Sequence, residues 1–418
     1  MLVSIPYNKS ENILLSIDDE LMLGIFEPNE IPSLGAQEAL TQALGNGIMT
    51  FLEGASNVLV IINDATRPTP TKAMLAALLP CFEQAGISDD NLTLLVATGA
   101  HRPVKDGELD QLLGPFKERL SPRLVSHEAK DASSLVRIGV TRNGTPILLN
   151  KLLFAYDRIV VTGSVEPHYF AGFTGGRKAF LPGIAGYETI VANHKLAVSD
   201  TAHSLALEGN PVHEDMMDAL THIKAPVFSL MTVLDKEQNV VAATGGDIVE
   251  SFGKAVEIAT RVFCVPIPQK ADIVVSIAKF PMDINLYQSQ KAIDNGALAV
   301  KDGGTLILVS ACREGIGDQE FADLLGSCSS PDQALQMINK SYKLGYHKAA
   351  KMASVCKRVN VMAYTELTEG QVASLFLEPI ADLQAALDGA IAEAKSKGIE
   401  RPSVILLPDG CVTVPSLS

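Results

Sequence analysis

The feature that most constrains this chain is the character of its short apolar runs. NVLVIIND (57–64), LTLLVATGA (92–100), RIVVTGSV (158–165) and PVFSLMTVL (226–234) are rich in β-branched residues and leucine, with almost no polar alternation. A strand with one wet face alternates polar and apolar residues, whereas a strand covered on both faces need not. Between these runs lie segments of helical period, TPTKAMLAALLPCFEQAG (69–86), which stops on Gly86, and GGDIVESFGKAVEIATRVF (245–263). Two-face-buried strands separated by helices imply an α/β fold with largely parallel sheets.

The pattern breaks at CVPIPQKA (264–271), where two prolines interrupt it, and then resumes. DIVVSIA, a helix across NLYQSQKAIDNGALAV, GTLILVSA, helices through 317–356, VNVMAY and a helix at 380–398 form a second alternation. A length of 418 residues exceeds one ordinary core. The expected division is an N-terminal α/β domain over 1–263, a linker at 264–271 and a C-terminal α/β domain over 272–399. The tail 400–418 carries a further strand, in SVILLPDGCVTVPSLS, and is expected to return to the first domain.

Charge narrows the function classes. The net charge is −14, from 34 basic and 48 acidic residues, which argues against a nucleic-acid or anionic-membrane surface. No apolar run approaches the length of a membrane span, and the first twenty residues lack the basic and apolar regions of a secretory signal. Six scattered cysteines with no CxxC pair suit reduced thiols, so a cytoplasmic location is expected.

In open parallel sheets, ligands gather beyond the carboxyl ends of the strands. After the first run, DATRPTP places Asp64, Thr66 and Arg67 at the start of a helix, a set of groups suited to an anion. His101 follows the second run, in TGAHRP, and His168 follows the third, in EPHYFAG. Two histidines beyond two parallel strands converge on one rim, which makes the pair a candidate for catalysis. GGRK sets Lys178 beside Gly175 and Gly176, where backbone can approach a ligand closely. Lys178 there can serve as a phosphate contact, a Schiff-base nucleophile or a covalent tether. His194, in YETIVANHK, is a candidate metal ligand through a neutral ring nitrogen. It has no HxxxH, HExxH or cysteine partner, so a conventional protein-built zinc or iron site is not supported. His203, His213 and His222 are read as surface or satisfied histidines. In the second domain, Tyr287, Gln288 and Lys291 open a helix just after a strand, and the last two, three residues apart, share a face suited to a small carboxylate or hydroxy acid. The absence of GxGxxG after the first strand and of GxxxxGK[ST] argues against a standard NAD site and a P-loop.

Taken together, DATRPTP, ATGAHRP, EPHYFAGFTGGRKAFLPGI, NHK and NLYQSQKA resemble the nickel-dependent lactate racemase family, over nearly the whole chain and in the family's order. The resemblance implies two α/β domains with the active site in the interdomain cleft. It also implies a nickel pincer nucleotide, a pyridinium-3,5-bisthiocarboxylic acid mononucleotide made by accessory proteins. Lys178 would be its covalent tether, as a thioamide, and His194 the one protein ligand to nickel; carbon and two sulfurs of the cofactor would supply the rest. Asp64, Thr66, Arg67, Gly175 and Gly176 would serve the cofactor, with Arg67 also available to the substrate. His101 and His168 would be the acid/base pair, and Tyr287, Gln288 and Lys291 would hold the substrate. The implied activity is racemisation or epimerisation of a 2-hydroxy acid by hydride transfer, with a planar 2-keto acid between the two enantiomers. One departure stands out. Lactate racemases carry a tryptophan in the substrate pocket and this chain has no tryptophan, so the expectation covers lactate, related 2-hydroxy acids and sugar acids. Two other classes make different demands of the same residues. A metal-dependent hydrolase or dehydrogenase would respond to zinc or NAD and leave Lys178 unmodified, and a non-catalytic carrier of the cofactor would need no base on each face of a substrate.

Overall fold

A computed structural model describes residues 1–417 of the chain. It divides into two compact units, residues 30–262 and residues 1–29 together with 263–418.

The 30–262 unit is built on a six-stranded sheet in the order Val240–Gly246, Val227–Leu234, Arg158–Ser164, Val58–Asn63, Leu92–Ala97, Leu124–Ser126. Neighbours are parallel except at the Val240–Gly246 edge, which runs antiparallel to Val227–Leu234. All five residues of Val58–Ile62 are fully buried, the reason this strand reads as a continuous apolar run. The helix Thr71–Gln84 buries Met74, Leu75, Leu78, Leu79 and Phe82 in the same core, the i, i+4, i+8 stripe of an amphipathic helix. Each such side chain contributes about 1.5–3 kcal/mol when taken fully from water. From Val58–Asn63 the chain steps outward to Leu92–Ala97 and Leu124–Ser126, then returns to the other side with Arg158–Ser164. The strand order therefore reverses between Val58–Asn63 and Arg158–Ser164, the place where such sheets open a crevice at their carboxyl ends.

The other unit repeats the plan with a six-stranded sheet that is parallel throughout, in the order Glu378–Pro379, Asn360–Tyr364, Val300–Val309, Ala271–Ile277, Val404–Leu407, Met22–Ile25. Its reversal lies between Ala271–Ile277 and Val404–Leu407. The helix Leu286–Ala299 starts beyond the carboxyl end of the former, capped by the Asn285 side chain, which accepts from the Gln288 N–H at 3.0 Å.

The domain expectation needs three corrections. Residues 1–29 belong with the second unit: Met22–Ile25 is the edge strand of its sheet, and the hairpin Leu2–Pro6/Asn12–Ser16 puts Ile5 and Leu15 into its core. The tail 400–418 also joins that unit rather than the first, because the fully buried Val404–Leu407 needs a partner on both edges and finds them in Ala271–Ile277 and Met22–Ile25. Within the expected linker 264–271, Cys264–Ile267 is a strand paired in parallel with Val414–Leu417. Val265 and Ile267 point inward and Pro266 outward, the arrangement a two-stranded ribbon tolerates for a residue with no N–H. The helix expected from 245 starts at Ile248, since Gly245 and Gly246 complete a strand and the Asp247 carboxylate accepts from the N–H groups of Val249 and Glu250. No helix of the described residues is long and apolar enough to cross a membrane.

Candidate active site

The site of the 30–262 unit is assembled from the chain that leaves three adjacent strands. Asn63 pairs with Ala97 in parallel register, so Asp64 and the 98–101 turn leave the sheet on one rim. Asp64 is buried, at 7% exposure, and fully engaged. Its Oδ1 accepts from the Thr66 N–H at 3.1 Å and hydroxyl at 2.6 Å, while Oδ2 lies 2.7 Å from His101 Nδ1. Burial alone would raise this carboxyl. The hydrogen bonds from His101 and Thr66, with the charges of His101 and Arg67, outweigh it and hold Asp64 below the usual carboxylate range. An ionised Asp64 fixes the proton of His101 on Nδ1 and leaves Nε2 as the basic nitrogen. Half of the His101 side chain is exposed, as proton exchange with a ligand requires.

His168 is held in the opposite sense. It pairs with Gly172 in a two-residue antiparallel ladder, Pro167–His168 against Gly172–Phe173. Its Nδ1 accepts from the backbone N–H of Ala171 at 3.3 Å and of Phe170 at 3.5 Å. An accepting Nδ1 places the ring proton on Nε2. The two imidazoles are thus held at Nδ1 by different partners, a carboxylate for His101 and backbone N–H groups for His168.

Lys178 lies in the single turn Gly176–Ala179. Gly175 (φ 80°) and Gly176 (φ 52°) are both left-handed. A Cβ on Gly175 would sit 2.6 Å from Val165 Cγ2, and one on Gly176 2.9 Å from Phe252 Cδ2, so neither position admits a side chain. Burial, then the positive charges of Arg67 and Arg177, push the Lys178 amine well below its ordinary value, with Glu166 opposing. A neutral amine is the form that bonds to an electrophilic carbon. His194 is buried on the helix Tyr187–Lys195, whose neighbouring Asn193 amide is anchored to Asp215 at 2.9 Å.

Two residues that sequence reasoning passed over organise this cluster. The Phe170 ring, 2% exposed, meets His168 edge-on at 4.5 Å and His194 at 5.0 Å, and Lys178 Nζ stands 5.4 Å from its centre. Three expected site residues therefore share one aromatic wall. Arg177 is buried at 1% exposure, and its guanidinium donates to the carbonyls of Ala171 at 2.6 Å, Gly175 at 3.3 Å and Thr174 at 3.5 Å, stacking 4.3 Å from the Phe252 ring centre. Burial pushes it down to about 9. It clamps the loop that carries Lys178. The only sequence signal was a second charged residue beside Lys178 in a glycine-rich stretch.

Of the other histidines, His203 Nδ1 lies 2.9 Å from the Ser204 carbonyl, a satisfied contact. His213 departs from expectation. It is half-buried beside Phe252, its Nδ1 has no hydrogen-bond partner among the described residues, and burial with the charge of Arg177 pushes it down to about 4. His127 is fully buried between the Ala185 carbonyl at 2.9 Å and the Asn150 amide at 3.1 Å, a structural role. In the other unit, Tyr287, Gln288 and Lys291 occupy the first turns of Leu286–Ala299, all half-buried. Among the described residues no three His, Cys, Asp or Glu side chains gather to hold a metal ion.

Both halves of the chain match known proteins. The lactate racemase N-terminal domain matches residues 7–205, and the lactate racemase C-terminal domain matches residues 267–414. The chain is 31% identical to the lactate racemase of Thermoanaerobacterium thermosaccharolyticum, with 98% of this chain and 97% of the relative covered. The chain belongs to the lactate racemase family. Membership places it among racemases, a class of isomerase. The lactate racemase of Lactiplantibacillus plantarum is 29% identical, with 98% of each chain covered. The structure of the lactate racemase apoprotein from T. thermosaccharolyticum superposes with a TM-score of 0.90 at 28% identity, covering 100% of both chains. A crystal structure of a Thermotoga maritima protein, 20% identical with a TM-score of 0.68 over 92% of this chain and 97% of its own, shares the fold.

Proposed function

We propose that this chain racemises or epimerises a small 2-hydroxy acid, with lactate the first substrate to try, as a cytoplasmic enzyme carrying a nickel pincer nucleotide on Lys178. The observation that carries the reading is the cluster around Phe170, which joins a lysine amine driven toward neutrality, a buried imidazole and an acid/base histidine. These residues fit such a group. A cofactor that brings three ligands for its nickel asks the protein for one, and His194 is a single buried imidazole with no cluster of Cys or carboxylate partners among the described residues. The glycine backbone at 175–176 leaves no side chain beside the tether. Cofactor-making accessory proteins would be its partners. When bound, the group would supply a reversible hydride acceptor.

The chain's own residues do the rest. His101, oriented by Asp64, takes the hydroxyl proton of one enantiomer on Nε2, and His168, in its imidazolium form, returns a proton on the other face. The reverse turnover exchanges the roles. Arg67, whose charge acts on both Asp64 and Lys178, stands where it can hold a carboxylate or phosphate. Gln288 and Lys291 supply a hydrogen bond and a charge for the substrate carboxylate. With no tryptophan in the chain, the pocket wall differs from that of lactate racemases, so a panel of 2-hydroxy acids belongs in the assay.

The test is co-expression with the cofactor-making proteins, followed by peptide mass analysis and racemisation assays. The expected result is a nucleotide-sized addition on the peptide containing Lys178 in preparations that racemise. An active preparation with an unmodified Lys178 would overturn the assignment.

A further inference from the structure

Lys348 is a buried cation outside the machinery described above. It lies on the helix Tyr346–Arg358 at 3% exposure, and lysine is almost never buried so deeply without a partner that needs its charge. One partner is the turn that begins the helix Leu286–Ala299. Lys348 Nζ donates to the Tyr287 carbonyl oxygen and stands 4.1 Å from the centre of the Tyr287 ring. In return, Gln290 Nε2 donates to the Lys348 carbonyl at 2.8 Å. Tyr287 and Gln290 are three residues apart and share one helix face, so the two bonds pin that face in both directions. The Tyr287 carbonyl is also the α-helical acceptor for the N–H of residue 291. The ammonium of Lys348 thus touches the oxygen that fixes the backbone of Lys291. Phe321 packs edge-on against Tyr287 at 5.6 Å and closes the ring on another side.

A contact between helices does not need an ammonium. Methionine or leucine would fill the space without the cost of desolvating a charge. An ammonium, unlike those side chains, both donates to the Tyr287 carbonyl and stacks on the Tyr287 ring. Burial lowers the Lys348 amine from its ordinary value, and Asp294, further along the same helix as Tyr287, provides the charge that opposes the fall.

We propose that Lys348 is a positioning residue for substrate binding: seated on the carbonyl and ring of Tyr287, it sets the turn that presents Gln288 and Lys291 to the substrate carboxylate. The proposal rests on the reading that Gln288 and Lys291 bind substrate.

The experiment compares the loaded parent enzyme with Lys348→Met, Lys348→Arg, Gln290→Leu and Lys291→Ala, measuring kcat and KM with each lactate enantiomer and thermal midpoints in parallel. Lys348→Met is expected to raise KM about 10-fold with kcat within about threefold, since a hydrogen bond to a charged group is lost from the binding turn and not from the chemistry. Lys348→Arg should recover most of the KM, and Gln290→Leu should raise it by a smaller factor. If Lys348→Met does not fold, Gln290→Leu decides the question, because its KM must rise. An unchanged KM in whichever variant folds, or a loss confined to kcat or to the thermal midpoint, overturns the assignment. If Lys291→Ala raises KM and Lys348→Met does not, the Lys348 role alone falls. If Lys291→Ala leaves KM unchanged, the substrate reading of this helix falls and the proposal goes with it.

Discussion

Both units carry a six-stranded sheet whose order reverses near the middle, yet they use that reversal differently. In the 30–262 unit, the chain leaving three adjacent strands contributes Asp64, His101 and His168, and a further loop and helix add Lys178 and His194. In the other unit, a single helix start beyond one strand carries Tyr287, Gln288 and Lys291. On the proposed reading, the difference follows from the work of each unit. Proton transfer at two faces and attachment of a cofactor need groups approaching from several directions, which only several strand ends supply. Recognition of one carboxylate needs a donor and a charge on one helix face. Damage in the first unit should therefore appear in kcat, and damage to the helix start in KM.

The largest effects should come from the histidines. His101→Ala and His168→Ala are each expected to lower the rate of racemisation by about 10²- to 10⁴-fold, and Asp64→Asn, which removes the charge that sets the His101 tautomer, by a comparable factor. A KM effect with unchanged kcat in any of the three would erase the distinction between the units. Next in size is Phe170→Ala, which opens a cavity in the wall shared by His168, Lys178 and His194 and should cost about 3–5 kcal/mol of stability, read by urea unfolding. Lys291→Ala should raise KM about 10- to 100-fold, the weight of one hydrogen bond to a charged group, with kcat little changed.

The smallest effect is one of pH. Burial holds folded His213 near 4, below the value of about 6.5 for an exposed histidine. Between those values the unfolded chain binds a proton that the folded chain refuses, so stability falls as pH drops from 6.5 toward 4. His213→Asn should lose less stability than the parent between pH 6.5 and pH 4.5 in urea titrations. Parallel losses would show that His213 does not set this slope.

The sheets were legible in the sequence because their strands are buried on both faces, and Val58–Ile62 reads as apolar without a break for that reason. Which sheet a strand joins was not legible. Val404–Leu407 looks like any buried strand, and its partners Ala271–Ile277 and Met22–Ile25 lie far off in sequence. Met22–Ile25 has only four residues, one a glycine, too short for a period to register. The site divided in the same way. Asp64 stood out in the sequence as a candidate beside Thr66 and Arg67, but its bond to His101 spans 37 positions and depends on strand register. Phe170 and Arg177 carry no pattern of their own, and their part in the cluster comes from the fold of the loop around them.

The central claim is that two histidines, one for each face of the substrate carbon, serve opposite enantiomers. The direct measurement is a single turnover of the loaded His101→Ala and His168→Ala enzymes with D-lactate and L-lactate separately, counting 2-keto acid formed per enzyme. Each variant keeps one base, so each is expected to form keto acid from one enantiomer only, and the two variants should prefer opposite enantiomers. The same preference in both variants, or racemisation by either at the parent rate, would contradict the account.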